Sequence, residues 1–438
     1  MTKSFGNSVE ANKRLHDLIP GGAHTYAKGE DQYPFEMAPV ISHGDGAHVW
    51  DVDGNEYIEY GSGLRAVSLG HRHPKVIEAV RRELDRGSNF VRPSVIELEA
   101  AERFLASVPT AEMVKFAKNG SDATSAAVKL ARAVTGRSLV AICTDHAFFS
   151  IDDWFITRTA MSAGIPEEIG ELTIGFPYGD LAATEEILIR HGGQVACLIL
   201  EAATQYDPPA GYLEGLRELA HRYGALLIFD EMITGFRFSE AGAQGLYGVT
   251  PDLSTFGKAL GNGFAVSALA GRRELMERGG LRDNRERVFL LSTTHGAETH
   301  ALAAAMAVMD VYSEEGISAR LHELGDKLAT GVREVAAAAG VQDHVVVRGR
   351  PSNMVFATLD ENLAPSQPYR TLFLRELILG GVIGPSFVVS AALTDEDIAH
   401  TIEVVARACT AYRTALDAGD PRGWMGGRPV KPVFRRYI

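Results

Sequence analysis

Lys258 stands in the run Asp252-Leu-Ser-Thr-Phe-Gly-Lys258-Ala-Leu-Gly-Asn-Gly263, 28 residues after Asp230 in Leu226-Leu-Ile-Phe-Asp230-Glu-Met-Ile-Thr-Gly-Phe-Arg237. An acid closing an apolar strand, followed by a lysine in a glycine-bounded turn, suits one chemistry above others. The amine can form an imine with the aldehyde of pyridoxal phosphate, and the carboxylate can keep the cofactor's ring nitrogen protonated. Lys258 lies among apolar and small residues, where burial lowers an amine's pKa and favours imine formation. A P-loop is excluded: no Ser or Thr follows the lysine, and the glycines before it are wrongly spaced. A lone aspartate in the place of Asp230 can equally cap a helix or sit on the surface.

Two further segments fit the same chemistry. The stretch Phe116-Ala-Lys-Asn119-Gly120-Ser121-Asp122-Ala123-Thr124 reads as a strand end, a small-residue turn and an alanine-rich helix. Exposed N–H groups and the helix dipole favour an anion at such a start, so Gly120 and Ser121 are candidates to hold a phosphate. An ordinary turn and helix cap would also read this way. The run Asp145-His146-Ala-Phe148-Phe149, leading on to Trp154 and Phe155, offers several flat faces on which a planar cofactor could stack. Which of them stacks is left open, and core packing competes for each phenylalanine.

These residues need a rigid scaffold. The continuous apolar runs at 139–143, 195–200 and 225–229 read as strands covered on both faces, as in a parallel sheet. Helical spacing is found over 74–86, 123–135 and 215–223, with Pro74 at a helix start and Gly136 at an end. The alternation implies an α/β domain with a mostly parallel central sheet, whose ligands bind beyond the carboxyl ends of the strands. Before it, Asp53-Gly54-Asn55 separates two alternating runs and reads as a β-hairpin. After it come a helix over 318–339, strand-like pieces at 345–348 and 354–357, and a final helix over 395–417 with Thr394 as its cap. The expected division is an N-terminal segment 1–65, a large domain 66–316 and a C-terminal domain 317–438. The first and last of these form a smaller α+β domain.

The bulk composition narrows the partners. Forty-three basic against 56 acidic residues give a net charge of −13, which disfavours nucleic acid and anionic membrane. Cys143, Cys197 and Cys409 are too few and scattered for a disulfide framework or a metal site, and their apolar settings imply buried thiols. The N-terminus lacks the apolar core of a signal peptide and no apolar run is long enough to span a bilayer, so a cytoplasmic enzyme is expected.

Taken together, Leu18-Ile-Pro-Gly-Gly22, Trp50-Asp-Val-Asp-Gly-Asn55, Leu69-Gly-His71-Arg-His-Pro74, the Asp230–Arg237 run and Thr255-Phe-Gly-Lys258 resemble the class III aminotransferases. These are fold-type I pyridoxal phosphate enzymes, and the similarity is greatest to the glutamate-1-semialdehyde aminomutase branch. The resemblance covers nearly the whole chain. It implies that Lys258 bonds the cofactor and shuttles a proton, and that Asp230 pairs with its ring nitrogen. It also implies that Gly120 and Ser121 hold the phosphate. His146 and Phe148 stay candidates for the place beside the ring, in a loop where the relatives carry a Tyr-His-Gly type sequence instead. Glu201 matches a glutamate near the substrate, although Ala202 replaces the usual proline. Thr294, in Leu291-Ser-Thr-Thr294-His-Gly296, resembles a threonine that reaches the phosphate of the neighbouring subunit, implying a homodimer with shared active sites.

The substrate residues depart from the family. A serine and an arginine that bind the substrate carboxylate in the aminomutases are matched here by Thr25 and Lys28, and lysine lacks arginine's bidentate fork. The stretch Gly384-Pro-Ser-Phe-Val-Val-Ser390 holds no arginine, unlike the ω-amino-acid transaminases. The resulting expectation is transfer of an amino group from a donor such as L-glutamate to a small oxo compound, for example a keto sugar or cyclic polyhydroxy ketone. The alternative is the aminomutase reaction itself.

Overall fold

The apolar runs become neighbouring strands whose side chains are all buried except the half-buried Leu139. In the computed structural model, which describes residues 3–146 and 148–436, seven strands form one sheet. Numbered in chain order, they are β1 (Met113–Ala117), β2 (Leu139–Cys143), β3 (Thr173–Phe176), β4 (Val195–Leu200), β5 (Leu226–Asp230), β6 (Leu253–Phe256) and β7 (Ser267–Gly271). The order across the sheet is β1-β7-β6-β5-β4-β2-β3. The pairs from β3 to β6 are parallel, and β7 runs antiparallel to both β6 and β1.

Alternate residues of these strands enter two different cores, as a period of two demands. On one face Val140, Ile142, Cys197, Ile199 and Ile228 pack with Ala123, Ala127 and Leu130 of the helix Gly120–Thr135. On the other, Ala141, Cys143, Leu198, Leu200, Leu227 and Phe229 pack with Leu213, Leu216 and Leu219 of the helix Tyr212–Arg222. All three cysteines are buried free thiols, as their settings implied, and burial pushes each thiol up to about 12.

The chain divides into two compact units. One takes the residues up to Leu64, Ser68–His73 and those from Ala319 onward; the other takes Arg65–Val67 and Pro74–Ser318, including the whole seven-stranded sheet. Within the first, the hairpin read from Asp53-Gly54-Asn55 pairs His48–Asp51 with Glu56–Glu59. The Asp51 carboxylate holds its turn, taking the N–H groups of Asp53 and Asn55 and the hydroxyl of Tyr57. Ile41–Asp45 and Val382–Ile383 extend this sheet to four strands. Val345–Arg348 pairs with Val355–Thr358, and the last long helix, Asp395–Ala418, starts at a capping box of Thr394 and Asp397. Among the described residues no helix is long and apolar enough to cross a membrane.

Candidate active site

Asp230 and Lys258 are brought together by register. β5 and β6 are adjacent and parallel, with Asp230 opposite Thr255, so the chain leaving β6 reaches Lys258 three residues beyond the aspartate's level. Asp230 is therefore the last residue of its strand and Lys258 lies just past the end of the next, at the carboxyl edge where open α/β sheets bind ligands. The Oδ1 atom of Asp230 accepts the Met232 N–H at 3.0 Å and the Thr255 hydroxyl at 3.1 Å. Burial pushes this carboxyl up to about 6, against the nearby Lys258 charge and these two hydrogen bonds.

Lys258 opens a single 3₁₀ turn, Lys258–Gly261, and its own φ is +46°. A non-glycine residue in the left-handed region is strained, and such strain persists where its surroundings hold it. The preceding Gly257 allows the turn to close on its neighbours, since a Cβ there would lie 2.7 Å from the Met232 sulfur. Burial lowers the Lys258 amine, while the charges of Asp230 and Glu201 raise it. Arg65 and Arg237 add to the lowering. The setting is thus richer in charge than its local sequence suggested.

Glu201 follows β4 directly. Burial and the Asp230 charge push its carboxyl up to about 7, with Lys258 and Arg65 opposing. Its backbone N–H donates to Nδ1 of His146 at 3.0 Å. That bond makes Nδ1 the acceptor, so the proton of the neutral ring sits on Nε2. Nε2 is buried without a hydrogen-bond partner among the described residues, and burial lowers the imidazole to about 4. The ring lies 5.2 Å from that of Tyr178 and 5.9 Å from that of Phe149.

The neighbouring loop residues separate. Phe149 is buried in the core, whereas Phe148 is 41% exposed with its edge on Phe155. Ala147 lies outside the described residues.

The turn read as a phosphate cradle does open a helix. Gly120 begins the helix Gly120–Thr135, three residues earlier than the sequence reading placed its start. Asn119 and Asp122 form a reciprocal capping box. Ser121 is buried, and its hydroxyl accepts the Ile151 N–H at 3.0 Å, leaving its own proton to donate. Ser267 of β7 ties down this turn by donating to the Asn119 carbonyl at 2.7 Å. A Cβ on Gly120 would meet the same Met232 sulfur as one on Gly257, so the two turns border a common side chain.

Several neighbours had no assigned role in the sequence. Arg237 is fully buried and donates to the Arg65 carbonyl at 3.3 Å. The Glu231 carboxylate, also fully buried, accepts the N–H groups of Ala243 at 2.7 Å and Gln244 at 2.8 Å and the Thr234 hydroxyl. It therefore braces the segment after β5. A cation at position 65 amid Gly61-Ser-Gly-Leu-Arg65-Ala-Val was the one available signal for Arg65. Thr294 is exposed, with its carbonyl accepting from the Asn89 side chain at 3.1 Å. Thr25 and Lys28 are exposed and belong to the other unit.

This donor set suits pyridoxal phosphate. A buried carboxylate with one oxygen already held can take a protonated ring nitrogen. An amine of lowered basicity stands near it, and first-turn N–H groups, which lack intrahelical acceptors, can take a phosphate.

The comparisons agree. The family model for aminotransferase class-III matches residues 26–408. A glutamate-1-semialdehyde 2,1-aminomutase of Natranaerobius thermophilus is 34% identical over 92% of this chain and 98% of its own. One from Syntrophobacter fumaroxidans is 35% identical over 89% and 94%. A solved transaminase with pyridoxal phosphate bound superposes with a TM-score of 0.83 at 26% identity, covering 95% of this chain and 99% of that one. The chain belongs to the class III aminotransferases, enzymes of fold type I whose cofactor is pyridoxal 5′-phosphate.

Proposed function

We propose that this enzyme moves an amino group within glutamate 1-semialdehyde, from carbon 2 to carbon 1, yielding 5-amino-4-oxopentanoate. The observation that carries amino-group chemistry is the meeting of Asp230, Lys258 and Glu201 at the carboxyl ends of adjacent parallel strands. The choice of substrate is supported by the names of the two curated relatives. That support reverses the order expected from the sequence, which put an external acceptor first.

Bound pyridoxal phosphate supplies an electron sink that eases loss of a proton from an amine-bearing carbon. Lys258 would hold the cofactor through its amine and, when released, take up and return the proton at the substrate carbon that bears the amino group. Its lowered basicity leaves a larger share of the amine neutral and able to accept that proton. Asp230 would stay ionised against the ring nitrogen, and Gly120 and Ser121 would take the phosphate. Glu201, pushed up to about 7, can give or take a proton near neutral pH. His146 fixes the backbone of Glu201 and presents a buried Nε2–H. Thr294 would reach the phosphate of a second subunit.

A second reading is favoured by one observation: Thr25 and Lys28 stand where the resemblance places the serine and arginine of the aminomutases. Under it, an amino acid such as L-glutamate gives its amino group to a separate oxo compound. None of the relatives described above carries a name that points to a keto sugar as that compound.

The test is to supply glutamate 1-semialdehyde together with ¹⁵N-labelled L-glutamate and analyse the product by mass spectrometry. The mutase yields unlabelled 5-amino-4-oxopentanoate, and yields it equally without L-glutamate. Product that requires the donor or carries ¹⁵N selects the second reading.

A further inference from the structure

An anionic substrate entering this site needs a cation that is not itself engaged in the chemistry. Lys258 is committed to the cofactor, and Arg237 is fully buried. Arg65 is only partly buried and lies within electrostatic reach of both Glu201 and Lys258. Its placement is unusual in backbone terms. Ser62, Gly63, Leu64 and Arg65 are four consecutive residues in the left-handed region, with φ of +43°, +56°, +61° and +71°. Three of them are not glycine, so the conformation must be held by its surroundings. The Arg237 guanidinium supplies part of that hold through the Arg65 carbonyl at 3.3 Å.

We propose that Arg65 is the residue that binds the substrate's carboxylate, with Arg237 as the positioning residue that fixes its backbone. This rests on the reading above in taking the substrate to be a carboxylate. A guanidinium offers a planar fork that matches a carboxylate in two parallel hydrogen bonds, which a lysine cannot reproduce. Arg65 thereby supplies, from a different part of the chain, the fork that Lys28 lacks. Before substrate arrives, Glu201 is the nearby acid that balances the Arg65 charge. An incoming carboxylate takes over that balance and leaves Glu201 beside Lys258.

The experiment measures binding of glutarate, an unreactive five-carbon dicarboxylate, to the cofactor-loaded enzyme by calorimetry. Arg65→Ala should raise the dissociation constant roughly ten- to a hundredfold, the loss expected for a charge-assisted pair. Arg65→Lys, which keeps the charge and the bulk, should raise it by less while retaining the cofactor's absorbance. It also decides the matter if the alanine variant fails to hold the cofactor. A constant unchanged in the variants, or no glutarate binding by the wild type, overturns the proposal. The two readings fail separately. Arg65-dependent glutarate binding in an enzyme inactive on glutamate 1-semialdehyde refutes the mutase assignment alone. Mutase activity with Arg65-independent binding refutes this inference alone.

Discussion

Replacing Asp230 by Asn should stabilise the cofactor-free protein while weakening its use of the cofactor. Both hydrogen bonds to this side chain go to a single oxygen, Oδ1, which Asn keeps as its amide carbonyl. The substitution therefore removes the charge and puts an NH₂ in place of Oδ2, with the two bonds retained. Burial pushes the Asp230 carboxyl from 3.8 up to about 6. A carboxyl raised in this way favours the folded state when protonated. Its ionisation therefore costs stability as pH rises from 3.8 towards 6, and the full cost persists above 6. The gap corresponds to about 3 kcal/mol, and at pH 5 to about half of that. Asn never ionises and escapes the cost.

Urea unfolding of the cofactor-free protein, followed by tryptophan fluorescence, to which the buried Trp154 contributes from the large unit's core, reads the effect. The Asn variant should unfold at higher urea at pH 8, and its advantage should shrink by about half at pH 5. In the loaded enzyme the same variant should be slower, because an amide NH₂ cannot keep the ring nitrogen protonated. Equal or lower stability of the Asn variant at pH 8, or an advantage independent of pH, would refute the argument that Asp230 is kept charged at the expense of the fold.

Two other substitutions have defined outcomes, the first from a close approach in the fold and the second from the proposed role of Thr294. Gly235→Ala should destabilise the large unit by about 2 kcal/mol or more by overpacking, since its Cβ would stand 2.5 Å from Phe256 Cδ1 and 2.8 Å from the Glu231 carbonyl oxygen; an unchanged urea midpoint contradicts this. Thr294→Ala should weaken cofactor binding roughly tenfold, the loss of one charge-assisted hydrogen bond, while leaving the urea midpoint of the cofactor-free protein unchanged. Equilibrium dialysis measures this, and an unaltered affinity removes Thr294 from the phosphate site.

Much of the scaffold was readable because its signals are local. The runs at 139–143, 195–200 and 225–229 are apolar on every residue, and strands covered on both faces have no other pattern. The Thr394–Asp397 capping box and the Asp53-Gly54-Asn55 turn each lie within a few residues, so a short window contains the whole interaction. β7 was not legible. Ser267-Ala-Leu-Ala-Gly271 is built of small residues, and its antiparallel insertion between β1 and β6 depends on partners about 150 and 15 residues away. The loop after β2 shows the same limit at the scale of single side chains: Phe148 and Phe149 are chemically identical, yet one faces solvent and the other the core.

The cofactor chemistry is likewise a property of short segments. A carboxylate ending an apolar strand, a lysine between glycines and a small-residue turn before a helix carry their meaning within about a dozen residues each. By itself the sequence therefore marked the groups that could hold the cofactor and the chemistry they can support. Only the tertiary structure decided what surrounds them. Arg65, His146, Glu201, Asp230 and Lys258 span almost 200 positions. The order β2-β4-β5-β6 converges the last four, and the left-handed turn pinned by Arg237 delivers the first. Electrostatic neighbours act over a few ångströms regardless of their separation along the chain, so the acids near 6 and 7 and the guanidinium beside them arise from the fold and cannot be read from any local window.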